Sequence, residues 1–279
     1  MNAGRIALRI ALGAAVPVAV LGVWHVASAH SVVVPSIGSV VEVLAHPFRE
    51  PANLDATSLA GGAAASVLRV ACGFALAVVT ALPIGLLMGR CRPVMDLLSP
   101  AITAAMVVSP VAWMPVAIIA FGLSSPATVL HGQEAWRYGV LDQLRFAIVA
   151  VVWFGAFIPI AINTAAGARN VRESYIEAAR ALGASRGQLL RKVILPGAAP
   201  AIVTGLRLGG GIAWRVIIVA EIFPGTRGGL GYTITTAHEQ AAYEYAFASI
   251  VVICGIGLLL DGVLRLAEAR VARWRPKER

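Results

Sequence analysis

Long apolar runs alternate with short polar segments along nearly the whole chain, and the runs have membrane length. Six approach the roughly 20 residues a helix needs to cross a bilayer: Ala7–Ala27, Ala63–Met88, Ala101–Phe121, Phe146–Asn163, Ala201–Phe223 and Ala246–Leu266. The pattern predicts an all-α membrane protein with six transmembrane helices. Arg5 and Arg9 flank the start of the first run, and Ala27-Ser28-Ala29 at its end has the form of a signal-peptide cleavage site. Its apolar stretch exceeds the roughly 7–15 residues of a signal core, so it is read as an uncleaved span.

One polar stretch, residues 170–196, interrupts this pattern. Asn170 with Glu173 reads as a capping box, and Val171, Tyr175, Ala178 and Leu182 recur at helical spacing as one apolar stripe. Gly183 stops that helix where a left-handed residue is needed. Ser185 with Gln188 makes a second box, and the next helix runs through Leu189, Leu190 and Val193 to Leu195-Pro196. Two short amphipathic helices between membrane spans have the form of a docking element for a soluble partner.

Charge orients the spans. Of the 23 Lys and Arg residues, 16 fall on one side if the N-terminus is inside, against four outside (Arg49, Arg137, Arg145 and Arg227). This positive-inside bias places both termini and the polar hairpin in the cytoplasm. The net charge of +9 therefore reports topology and calls for no nucleic acid. Composition agrees, with 58% hydrophobic and 13% charged residues and a mean hydropathy of +0.80. Outside, Ser39 and Glu42 are read as the cap of a short interfacial helix. The stretch 123–145 is longer than a simple turn and is either a spacer or a contact for an external partner. Small residues recur every four positions at Gly73, Ala77, Ala81, Gly85 and Gly89, and again at Gly205, Gly209 and Ala213. Such faces let helix backbones approach closely. Pro110, Pro115 and Pro159 are expected to bend the third and fourth spans.

The run Glu177-Ala178-Ala179, three residues, Gly183, nine residues, Val193, one residue, Leu195-Pro196 resembles the EAA loop of binding-protein-dependent ABC importer permeases. Val193 stands where that loop has Ile. The order Ser66-Val67-Leu68-Arg69, Asn163-Thr164, Gly205-Leu206-Arg207, Ala220-Glu221 and Gly228-Gly229-Leu230-Gly231-Tyr232 is similar to permeases of the nitrate, sulfonate and taurine type. The likeness covers about residues 60–265, with 123–145 as its main departure. It implies a type I ABC importer permease fold with a cytoplasmic coupling-helix hairpin that docks on ABC ATPase subunits. It also implies a periplasmic or lipoprotein solute-binding protein, a second permease copy in a homodimer, and the bacterial inner membrane. Glu177, Ala178, Ala179, Gly183, Val193, Leu195 and Pro196 would be the ATPase-coupling residues. The expected organisation is 1–59 (first span and periplasmic segment), 60–265 (permease domain) and 266–279 (basic cytoplasmic tail).

Charges inside the spans are few. Arg207 and Arg215 share a face of the fifth span through Gly211, and Arg215 lies near the bilayer middle when counted from Ala201. Burying it costs at least about 2.5–3.5 kcal/mol, so it faces an aqueous path or the protein interior. It either lowers the barrier for an anion or pairs with a polar group on a neighbouring helix. Arg207, Arg215 and Glu221 are the candidate path residues.

No cofactor, metal or catalytic set is expected. No Walker A run exists, and the only lysines are Lys192 and Lys277, so nucleotide chemistry belongs to another subunit. His25, His30, His46, His131 and His238 lack zinc spacing, and no Gly-x-Ser-x-Gly elbow occurs. Cys72, Cys91 and Cys254 are read as small buried apolar residues. Two other classes stand beside the importer reading: an ion-coupled secondary transporter, and a membrane scaffold without transport.

Overall fold

The computed structural model describes residues 3–51, 54–132, 142–223, 225–226 and 228–272, with side chains from residue 15 onward except at 131 and 272. Part of the 123–145 stretch, Arg227 and the tail beyond residue 272 lie outside these. Among the described residues every regular element is helical: α1 (Ala3–His30), α2 (Ile37–Ala45), α3 (Leu59–Arg90), α4 (Arg92–Val107), α5 (Met114–Phe121, after a 3₁₀ turn at Pro110–Trp113), α6 (Pro126–His131), α7 (Phe146–Arg169), α8 (Glu173–Ala181), α9 (Arg186–Leu189), α10 (Leu195–Ala220), α11 (Leu230–Glu239) and α12 (Tyr243–Ala272). Five stretches among the described residues are long and apolar enough to span: Leu59–Arg90, Pro110–Leu130, Phe146–Arg169, Arg186–Ala220 and Tyr243–Val271. The described part of α1, Ala15–His30, is apolar but shorter.

The span predicted over Ala101–Phe121 is broken. α4 stops at Val107, and Val108 and Ser109 turn extended before Pro110. Proline lacks an N–H and forces its predecessor out of the helical region, so the helix restarts beyond it. Pro115 sits in the first turn of α5, where proline is tolerated, and Pro159 lies inside an unbroken α7. Between α1 and α3, Ser36 rather than Ser39 caps α2, its side chain accepting from the Ser39 N–H. Cys91 and Cys254 are exposed and Cys72 is half-buried, contrary to the burial expected; Cys91 sits at the junction between α3 and α4, outside both helices.

α7 is the central helix, packed between α3 and α10, while α12 closes on α10 and α11. Both seams on α7 use the predicted small-residue faces. Ala77 and Ala81 are fully buried. A Cβ on Gly73 would lie 2.6 Å from Val152, on Gly85 2.7 Å from the Ala161 carbonyl oxygen, and on Gly89 2.5 Å from that of Ala165. Across the other seam, a Cβ on Gly205 would lie 2.8 Å from Asn163 and on Gly209 3.0 Å from the Ala156 carbonyl. These approaches are possible only without side chains, and close backbone contact is what holds helices together in lipid. Outward faces carry Val79, Ile119, Leu258 and Leu266, all exposed, as expected where the surrounding solvent is apolar. Trp24 ties α1 to the bundle, donating from its indole to the Pro35 carbonyl at 3.0 Å and stacking 5.4 Å from Phe247.

Gly85→Val is therefore expected to overpack the α3–α7 seam and cost about 1–3 kcal/mol. Gly255→Ala on α12, where a Cβ meets nothing within 4 Å, is the control. The measurement is the unfolding midpoint of the purified protein in detergent, which drops for the first variant and stays put for the second.

Candidate functional site

The polar hairpin grows out of α7. Asn170 still donates its N–H to the Ala166 carbonyl and so belongs to the end of that helix. α8 consequently starts at Glu173 with Arg172 at its cap, and the Asn170–Glu173 box does not form. Gly183 has φ +79°, and the turn closes with Gly183 N–H donating to the Arg180 carbonyl at 2.9 Å and Ala184 N–H to that of Ala179 at 3.0 Å. These are the bonds of a left-handed helix stop. The second box forms: the Ser185 hydroxyl accepts from Gln188 N–H at 3.3 Å and the Gln188 side chain accepts from Ser185 N–H at 2.9 Å. The chain does not stop at Pro196. It passes through a widened π turn at Leu190–Ile194 directly into α10, one helical path of 35 residues from Arg186 to Ala220.

The hairpin is held by a small apolar core of Ala168, Val171, Ile176, Leu189, Ile194, Ala198 and Ile202. Ile176 is the one buried residue of α8. The predicted stripe thus points the other way: Val171 is buried, but Tyr175, Ala178 and Leu182 are exposed, Leu182 at 89%. The π turn places Leu189 and Ile194, five residues apart, on the same inner face. Glu177, Ala178, Leu195 and Pro196 are exposed, and Ala179 and Val193 are half-buried. The result is an exposed surface, apolar in part, on a rigid two-helix support. Ion pairs from Glu173 to Arg90 at 3.6 Å and to Arg180 at 3.8 Å lie at the surface and contribute little.

The opposite end of the bundle contains a buried polar node that sequence did not assemble. Arg69 of α3 and Glu221, just past α10, form an ion pair at 2.6 Å with side chains 1% and 0% exposed. Ser66 donates its hydroxyl to the Glu221 carboxylate at 2.8 Å and accepts from Leu230 N–H at 2.9 Å. Gly231 N–H donates to the same carboxylate at 3.0 Å. The carboxylate therefore sits on the N-terminus of α11, where the helix dipole favours negative charge. Arg69 also donates to the carbonyls of Gly228 at 2.8 Å and Gln143 at 2.7 Å. The glycines of the Gly-Gly-Leu-Gly run serve close approach: a Cβ on Gly229 would fall 2.5 Å from the Glu221 carboxylate, and on Gly231 2.1 Å from the Ile218 carbonyl. Three of the segments that carried the resemblance meet here. The visible signal was an Arg and a Glu, each inside or beside an apolar run with no local partner.

The three candidate path residues are not brought together. Glu221 is enclosed in the node. Arg207 straps α10 to α12, its Nε donating to Asp261 at 3.1 Å and its Nη1 to Glu268 at 2.8 Å, with Thr204 donating to Glu268 at 2.7 Å. Arg215 is exposed, and among the described residues its side chain donates to the Gly211 carbonyl of its own helix alone, at 3.1 Å. Arg215 lies five residues before the end of α10 at Ala220, about 7.5 Å along the helix axis. Beside it, a Cβ on Gly211 would meet nothing within 4 Å. Among the described residues no cluster of His, Cys, Asp and Glu is arranged to hold a metal.

This architecture has known counterparts. The chain is 35% identical to the taurine transport system permease protein of Escherichia coli K12, over 76% of this chain and 69% of that one. It is 34% identical to the bicarbonate transport system permease protein of Synechococcus elongatus, over 79% of this chain and 72% of that one. A chain of the MetNI methionine ABC transporter, solved in inward-facing conformations, superposes with a TM-score of 0.58 over 76% of this chain and 95% of its own, at 20% identity. The family model for the inner membrane component of binding-protein-dependent transport systems matches residues 81–273. A chain with this helical bundle, these relatives and that match belongs to the binding-protein-dependent transport system inner membrane component family, a family of non-catalytic ABC transporter permeases.

Proposed function

We propose that this protein is the permease subunit of an ATP-driven importer, a homodimer whose two copies flank the solute path. The reading is carried by the hairpin: an exposed, partly apolar face on Glu177–Pro196, rigidly seated by Ile176 and continuous with α10. An ATPase subunit docks there from the cytoplasm. Because the hairpin and α10 are one helical path, closure of the ATPases tilts the span directly. α1 is the sixth span, both termini are cytoplasmic, and a solute-binding protein delivers cargo from outside. Residues 60–265 form the permease domain between an N-terminal span with its external segment (1–59) and a basic tail (266–279). Copurification with an ABC ATPase, followed by ATP-dependent uptake in vesicles, tests the assignment. A permease that transports without an ATPase overturns it.

Orientation has its own check. A cysteine probe at Ser185 is expected to react only from the cytoplasmic side and one at Ser125 only from outside, and the reverse pattern would refute ATPase docking at the hairpin.

The solute is a small anion-bearing molecule of the nitrate, sulfonate or taurine kind, a reading supported by relatives named for taurine, bicarbonate and aliphatic sulfonates. Arg215 is the path residue: it makes no ion pair among the described residues, is exposed, and has open space beside Gly211. Arg215→Lys keeps the charge while losing the guanidinium fork, and Arg215→Met loses both. Uptake per folded molecule is expected to fall in the order wild type, Lys, Met, with ATPase activity and folded yield unchanged. Full uptake by the Met variant would leave specificity with the external binding protein alone.

A further inference from the structure

We propose that the cleft between α3, α4 and α7, at the hairpin end of the bundle, binds the headgroup and upper acyl chains of an anionic phospholipid. The cleft holds about 190 Å³ and is lined by the apolar Met88, Met95, Ile102 and Ile162 and by the polar Ser99, Thr103 and Arg169. Arg169 is exposed and makes no ion pair among the described residues. Arg169 lines the cleft itself, and the α3–α4 corner beside it carries Arg90, next to Gly89, and Arg92, three residues before Met95 in the sequence. α4 starts at that corner, and no side chain caps its N-terminus at Cys91. The positive end of a 16-residue helix dipole therefore adds to the same field.

An apolar wall ending in a basic rim selects an amphiphile. A soluble phosphate leaves the Met and Ile walls unused, and a lipid without net negative charge leaves the charge of Arg169 uncompensated. α4 has no buried residue, so this side of the cleft is one helix thick and open laterally. Basic pockets between membrane helices on the cytoplasmic side are general sites for acidic lipid headgroups. The inference rests on the proposed orientation, which turns this end to the cytoplasmic leaflet. It adds a regulatory consequence: Arg169, which lines the cleft, ends α7, and the chain runs on through Asn170 into α8, so a bound headgroup sits at the root of the hairpin.

The test uses the full-length protein in phosphatidylcholine vesicles containing a trace of photoactivatable phosphatidylglycerol, with photoactivatable phosphatidylcholine in parallel. Phosphatidylglycerol is expected to label Met88, Met95, Ile102 or Ile162, mapped by mass spectrometry, and phosphatidylcholine to label them far less. Arg169→Gln should reduce this labelling about fivefold, Arg169→Lys should preserve it, and Arg270→Gln at the far end of α12 should leave it unchanged. Equal labelling by both lipids would mean only a lipid annulus. Displacement by millimolar inorganic phosphate would mean a soluble anion site, and absence of label would mean a cleft lined by solvent. Each of these outcomes overturns the proposal. None depends on ATPase docking, and the orientation stands or falls separately on labelling at Ser185.

Discussion

Glu221→Leu is expected to abolish accumulation of folded protein, whereas the double variant Arg69→Met with Glu221→Leu regains a substantial part of it. The ion pair is almost wholly buried, so the single change strands the Arg69 guanidinium where water cannot reach it. Breaking such a pair costs about 3–5 kcal/mol, while replacing both members by apolar groups of similar size is often neutral. Recovery in the double variant will be incomplete, because Ser66 and the Gly231 N–H lose their acceptor, at about 1–3 kcal/mol for each group left unpaired. Glu221→Gln should fall between, since a carboxamide oxygen can still accept from Gly231. Folded yield by size-exclusion chromatography in detergent, combined as a double-mutant cycle, gives the coupling. A Glu221→Leu variant that folds like wild type would show that the node is dispensable.

Gly183→Val is expected to leave insertion and membrane level intact and to remove most ATP-dependent uptake. The position has φ +79°, and a Cβ there meets nothing within 4 Å. The substitution therefore creates no clash and acts only through the backbone. A left-handed conformation costs an ordinary residue roughly 1–2 kcal/mol, more for a β-branched one. The turn should relax and re-angle α8 against α9, displacing Tyr175, Ala178 and Leu182 from their shared support. Gly183→Asn is the control, since Asn tolerates this conformation far better and should retain most uptake. Wild-type uptake in the Val variant would count against the hairpin as the coupling element, and loss of membrane level would mark a folding defect instead.

Much of the bundle was legible in the chain because lipid imposes strong, local rules. An apolar run of sufficient length becomes a helix, and the small-residue periods beginning at Gly73 and Gly205 became the two seams on α7 because only residues without bulk permit that approach. The left-handed Gly183 and the Ser185–Gln188 box were equally readable, being contacts within a few residues. Helix ends were less so. Asn170 was spoken for by the preceding helix, and the path from Arg186 ran on because Pro196 falls in the first turn of α10, directly after the π turn at Leu190–Ile194.

The sequence by itself thus determined class, the places of most spans, the packing faces and the existence of the hairpin, all of which follow from local pattern and from the cost of exposing backbone to lipid. Tertiary structure alone decided which face of α8 turns inward, since that rests on Ile176 meeting Leu189 and Ile194 from the other arm. It alone joined Ser66 and Arg69 to Glu221 and Gly231, more than 150 residues away, and Arg207 to Asp261 and Glu268. A charge in an apolar run announces that it needs a partner. Which partner it finds depends on helices that no local spacing relates.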